Sequence, residues 1–155
     1  MPETNGALEQ ALRLQQAGDY STAESLLREF LETDPENQDG LHLLGLCCHA
    51  QMRHNEALKW LEEAILKAPN EAMFLANAGI VALALGHTDR ADRYLQAAVS
   101  ANPIHTEAYN NLALVRETQG RLDEAELLLD KAIALDAGSA RAHSNRGNIR
   151  RVLGD

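Results

Sequence analysis

Thr106 to Asp136 reads TEAYNNLALVRETQGRLDEAELLLDKAIALD, and every other part of the chain can be laid over it at one fixed offset. It holds two short amphipathic runs, from Tyr109 onward and from Leu122 to Leu135, parted by the breaker Gln119-Gly120-Arg121. Apolar residues at helical spacing on either side of a glycine predict two helices joined by a tight turn. A step of 34 residues back from Gly120 lands on Gly86, then Met52, then Gly18, and a step forward lands on Gly154. Ala125 falls in register with Ala91, Ala57 and Ala23, and Leu129 with Leu95, Leu61 and Leu27. Ala132 matches Ala98, Ala64 and Phe30, while Pro103, Pro69 and Pro35 close the three earlier units.

On those residues the chain resembles the tetratricopeptide repeat family, whose signature is a 34-residue period with two helices per unit. The resemblance covers nearly the whole sequence, about four and a half repeats. The family pattern stands here as Leu41-x2-Leu44-Gly45-x2-Cys48, Ala57-x3-Leu61 and Pro69. It returns as Leu75-x2-Ala78-Gly79-x2-Ala82, Ala91-x3-Leu95 and Pro103, and again from Tyr109. The resemblance implies an all-α solenoid, a right-handed superhelix of antiparallel helix pairs. Small residues at Gly45, Gly79 and Ala113 let the first helix of a unit approach the second, and Leu61, Leu95 and Leu129 fill the space between. Neither helix buries its apolar face alone, so stacked neighbours are expected to build one quasi-one-dimensional core.

The units run over about 4–37, 38–71, 72–105 and 106–139, followed by a partial repeat at 140–155. The first unit is the least regular, and Ser21, with Glu24 three residues on, is the expected N-cap of its second helix. In the fourth, Ala137-Gly138 replaces the closing proline, and Gly138 is expected to stop the helix as a left-handed residue. The last unit ends at Leu153-Gly154-Asp155, where the turn into a further helix should begin. That register predicts a fragment of a longer protein, with 1–155 forming a single array.

Composition narrows the partners. Aromatic residues are only 4% of the chain, which suits thin helix–helix layers. The net charge of −9 argues against nucleic acid, whose recognition rests on neutralising phosphates with Lys and Arg. Charge is uneven: residues 1–139 carry 10 basic against 22 acidic side chains, and 140–155 carry 4 against 1. No apolar run is long enough for a membrane span. The start, Met1-Pro2-Glu3-Thr4, lacks a signal-peptide core. With Cys47 and Cys48 adjacent in a helix and unable to bridge each other, the reading expects a cytoplasmic protein.

Catalytic and cofactor motifs are absent: there is no Gly-x-Gly-x-x-Gly, no Gly-x4-Gly-Lys-Ser/Thr, no Gly-x-Ser-x-Gly and no His-Glu-x2-His. The acidic pairs Glu62-Glu63 and Asp123-Glu124 read as outward or helix-start residues. His42, His49 and His54 lie near the cysteines but lack metal-ligand spacing, so neither metal nor cofactor is expected.

What remains is the surface of the first helices, which in the family line a concave groove for an extended peptide or a partner helix. Asn77, Asn111 and Asn145 lie one period apart, each two residues before a small Gly or Ala. An Asn side chain offers a donor and an acceptor, so such a column can pair with a peptide main chain of any sequence. It resembles the asparagine ladder of O-linked N-acetylglucosamine transferases, with Glu9 and Leu43 breaking it in the first two units. Leu12, Leu46, Ile80 and Leu114, again one period apart, add an apolar stripe of the kind that marks interaction sites. His42 and Asn110 complete the expected groove. The family's other mode, a basic clamp on acidic chaperone tails, is not expected. Its positions hold Asp39, His42, Met73, Ala76 and Glu107, with basic residues only at Arg141 and Arg151.

The functional expectation is therefore a non-catalytic scaffold with a protein or peptide partner. The alternatives are the substrate-recruiting arm of a larger enzyme such as a glycosyltransferase, and a scaffold that self-assembles through exposed solenoid ends.

Overall fold

The structure, a computed structural model, describes residues 3–154; Met1, Pro2 and Asp155 of the terminal readings lie outside the described residues. The described chain forms α1 (Glu3–Gln16), α2 (Tyr20–Thr33), α3 (Gln38–Ala50), α4 (His54–Lys67), α5 (Ala72–Ala84), α6 (Thr88–Ala101), α7 (Thr106–Thr118), α8 (Leu122–Leu135) and α9 (Ala140–Leu153). No described residue lies in a strand. Each helix packs on the next in sequence, most closely within the pairs α3–α4, α5–α6 and α7–α8. Odd-numbered helices also touch the next odd helix, whereas among the described residues the backbones of the even helices do not come together, and long side chains such as Arg28 and Glu56 bridge them. The odd helices are thus the inner, tighter layer, and their free side is the concave face.

The repeated turn follows from backbone geometry. Gly18, Gly86 and Gly120 take φ of 80°, 75° and 73°, the left-handed region that a Cβ disfavours. At Gly86 the chain closes with Gly86 N–H donating to Leu83 O and His87 N–H to Ala82 O, both at 2.9 Å, the paired bonds of a Schellman stop. Met52 keeps the same turn at φ 64° without being glycine. Its own bonds, Met52 N–H to His49 O and Arg53 N–H to Cys48 O at 2.9 Å, hold it there.

Two expectations about helix ends are corrected. Asp19, not Ser21, caps α2, accepting from Thr22 N–H at 3.1 Å, so Ser21 already lies in the first turn. Gly138 is not left-handed either: α8 stops because Asp136 turns extended at φ −140°, and Asp136 Oδ1 then accepts from Gly138 N–H at 3.0 Å.

Within each pair the close approach is real. A Cβ on Gly45 would stand 2.8 Å from Leu61 Cγ, and one on Gly79 would stand 2.6 Å from Leu95 Cγ. Ala23, Ala57, Ala91 and Ala125 are fully buried, as are Leu27, Leu61 and Leu95. Each such leucine contributes roughly 1.5–3 kcal/mol of burial. Three overlapping apolar clusters run from α1 to α9 as one continuous column. At α9 the column opens: Gly147 has nothing within 4 Å of its would-be Cβ, and Val152 and Leu153 are 65% and 43% exposed.

Candidate functional site

The asparagines of the inner layer do not stand free in a row. Asn77 on α5 directs Nδ2 to Nε2 of His42 on α3 at 2.8 Å. Asn145 on α9 directs Nδ2 to Oδ1 of Asn110 on α7 at 3.0 Å. Both bonds span 35 residues, one more than the repeat, so they tie unlike positions of neighbouring units. The same step back from Asn111 reaches Ala76, which carries no polar side-chain atom. Asn111 is only 7% exposed, and its Nδ2 is fully buried with no hydrogen-bond partner among the described residues. A buried donor left unpaired costs roughly 1–3 kcal/mol.

His42 and Asn110 therefore lie beneath the surface, each 3% exposed, and hold asparagines from below rather than lining the groove. His42 also stacks on Phe74, with ring centroids 4.4 Å apart. Burial pushes its imidazole down to about 4, so it is neutral at physiological pH and its Nε2 accepts from Asn77.

Beside the column runs the apolar stripe. Leu12 and Leu114 are 44% and 40% exposed, and Leu46 and Ile80 are half-buried. The two basic residues at clamp positions are already engaged: Arg141 donates to Glu107 at 2.8 Å, and Arg151 donates to Asn148 at 3.2 Å.

The histidines and cysteines do not gather. His49 and His54 bring their Nδ1 atoms to 3.0 Å, away from His42. Burial, with His54 alongside, lowers His49. Cys47 and Cys48 are fully buried, and burial pushes the Cys48 thiol up to about 11, far from a reactive thiolate. Among the described residues, Glu24, Cys48 and Glu56 are the three ligand-type side chains whose donor atoms converge. Both carboxylates already accept from Arg28 and Arg53. Burial alone would raise Glu24, but hydrogen bonds from Gln51, Arg28 and Arg53 outweigh it and hold the carboxyl below its usual range. Glu62, read as outward, accepts from Tyr94 Oη at 2.5 Å and pairs with Arg90, clipping α4 to α6. No described helix is long and apolar enough to cross a membrane.

Stacked helix pairs with a self-paired polar column on the concave side define a helical-repeat protein. Two family profiles, each described as tetratricopeptide repeat, match residues 14–77 and 77–140, and the chain belongs to that family. It has the family's right-handed superhelical solenoid. Pseudomonas aeruginosa PilF superposes with a TM-score of 0.90 at 20% identity, over 97% of this chain and 68% of that one. YrrB, described as a repeat protein with an unusual peptide-binding site, gives 0.77 at 24% identity, over 95% and 76%. An O-GlcNAc transferase of Thermobaculum terrenum gives 0.79 at 27% identity, over 83% of this chain but 25% of that one. No curated protein matches in sequence.

Proposed function

We propose that this chain is a non-catalytic interaction scaffold whose helices act as one array. Its concave groove holds an extended peptide from a protein partner. The observation that carries this reading is the alignment of Leu12, Leu46, Ile80 and Leu114, partly exposed at one repeat spacing, beside the asparagine column. Apolar side chains of a bound strand have the stripe to cover, and its main chain has amides alongside. The peptide-binding description of YrrB supports the same use of the fold. With Arg141 engaged by Glu107, and Asp39 exposed on the same layer, the groove favours a neutral or basic segment over an acidic tail.

The test is a titration of 15N-labelled protein with a peptide selected against it from a random linear library. Shifts gathered on α3, α5 and α7 support the groove. Shifts confined to α4, α6 and α8, or a library that yields no binder, contradict it.

The likeness to the O-GlcNAc transferase, of which this chain spans a quarter, favours a second reading as the substrate-recruiting arm of a larger enzyme. That reading requires a parent polypeptide that modifies peptides and loses the activity when residues 3–154 are removed.

A further inference from the structure

The second unit joins its two helices with side chains that the repeat does not call for. His49 lies in the last turn of α3 and His54 is the first residue of α4. One period away the same two places hold Gln15 and Tyr20, Leu83 and Thr88, and Glu117 and Leu122. The turn therefore needs no histidine. Five residues apart, the two rings share no helix face, yet the turn through Met52 brings their Nδ1 atoms to 3.0 Å. The bonds from Met52 N–H to His49 O and from Arg53 N–H to Cys48 O hold that backbone, so both rings leave a fixed frame.

Their mutual geometry suits a shared ion. The ring centroids are 4.8 Å apart, less than the Nδ1 separation plus the two ring radii, and the planes cross at 48°. The two Nδ1 axes are thus bent away from the line between them, which weakens a hydrogen bond between the rings. Two metal–imidazole bonds of about 2.0–2.1 Å whose nitrogens stand 3.0 Å apart enclose roughly 95°. A tetrahedral ion would hold the nitrogens about 3.3–3.4 Å apart. Near-right angles with nitrogen ligands belong to tetragonal copper(II) and nickel(II), of which copper(II) binds more tightly. Both rings are half-buried, so water reaches them, and among the described residues each ring hydrogen-bonds only with the other. The charge of Arg53 between them is answered by Glu24 and Glu56. The dipole of α3 favours a cation at His49 and that of α4 disfavours one at His54, so the placing of the two donors decides.

We propose that the turn between α3 and α4 is a divalent-metal site, with Nδ1 of His49 and Nδ1 of His54 in two adjacent positions of one tetragonal ion, copper(II) by preference. The ion takes the place of the proton between the rings, both of which then carry their remaining proton on Nε2. Water fills the other positions. The bound ion staples the end of α3 to the start of α4 at the one turn of its kind that holds a left-handed conformation without glycine.

The test titrates the folded wild type with copper(II) chloride at neutral pH against a competing chelator, and follows the bound ion by electron paramagnetic resonance. One equivalent should bind with an axial spectrum, and spin-echo modulation should show two imidazole nitrogens. His49→Gln and His54→Gln, checked for native helicity by circular dichroism, should each weaken binding by at least about tenfold, the low end of what even an outer-shell partner is worth. His87→Gln and His143→Gln should leave it unchanged, and zinc(II) should bind the wild type less tightly than copper(II). Modulation from a single imidazole in the wild type would overturn the site without recourse to any variant. So would equal copper affinity in His49→Gln and His54→Gln, or no stoichiometric binding at all.

Discussion

Asn77 and His42 meet at 2.8 Å across the boundary between the second and third units, and the bond needs the imidazole neutral. Burial already places that ring at about 4 against an ordinary 6.5. Between those values the unfolded chain takes up a proton that the folded chain refuses. Stability is therefore complete above the unfolded value and falls as pH drops toward the folded one. The loss should reach about 2 kcal/mol between pH 8 and pH 5, with His49 acting in the same direction. His42→Asn, which repeats the pairing that Asn110 makes with Asn145, should fold and remove most of that slope. Thermal melts followed by circular dichroism across this range provide the check, and an unchanged slope in the variant would count against the assignment.

The glycines at equivalent positions of α5 and α9 should respond in opposite directions. Gly79→Ala forces a Cβ to within 2.6 Å of Leu95 Cγ, and relief of that overlap should cost about 1–3 kcal/mol. Gly147→Ala meets nothing within 4 Å and gains helix propensity, so it should stabilise by up to about 1 kcal/mol. Urea midpoints of the two variants decide the matter; a shared sign would show that tight pairing is not what selects glycine at 79.

Met52 bears a side chain at φ 64°, where the equivalent turns use glycine. The side chain is 76% exposed and has little packing to lose. Met52→Gly should raise stability by about 1 kcal/mol through relief of left-handed strain. A fall in melting temperature would mean that Met52 makes contacts worth more than that strain.

The repeat, its turns and the Gly–Leu interlock were legible because each recurs at the same step, so Gly45 with Leu61 teaches Gly79 with Leu95. Helix ends were less so. Asp19 and Ser21 are both good caps two residues apart, and the choice depends on which one the turn after Gly18 aims at the helix. Gly138 looked like a stop by residue type, but Asp136 had already ended α8. The site was half legible. The asparagine column shows at 34, but its hydrogen bonds run at 35 and join unlike residues, so matching like with like conceals His42 and Asn110 as partners. The gap at Ala76 is visible only once those two bonds are seen.

The most direct test of that gap is a double-mutant cycle on Ala76→Asn and Asn111→Leu, read as unfolding free energy from urea titration. An acceptor at 76 should stabilise the wild-type background by about 1 kcal/mol, because it satisfies the buried Asn111 donor. The same substitution in the Asn111→Leu background should give no gain. An equal effect in both backgrounds would contradict the account, since residue 76 would then not be the missing partner of Asn111.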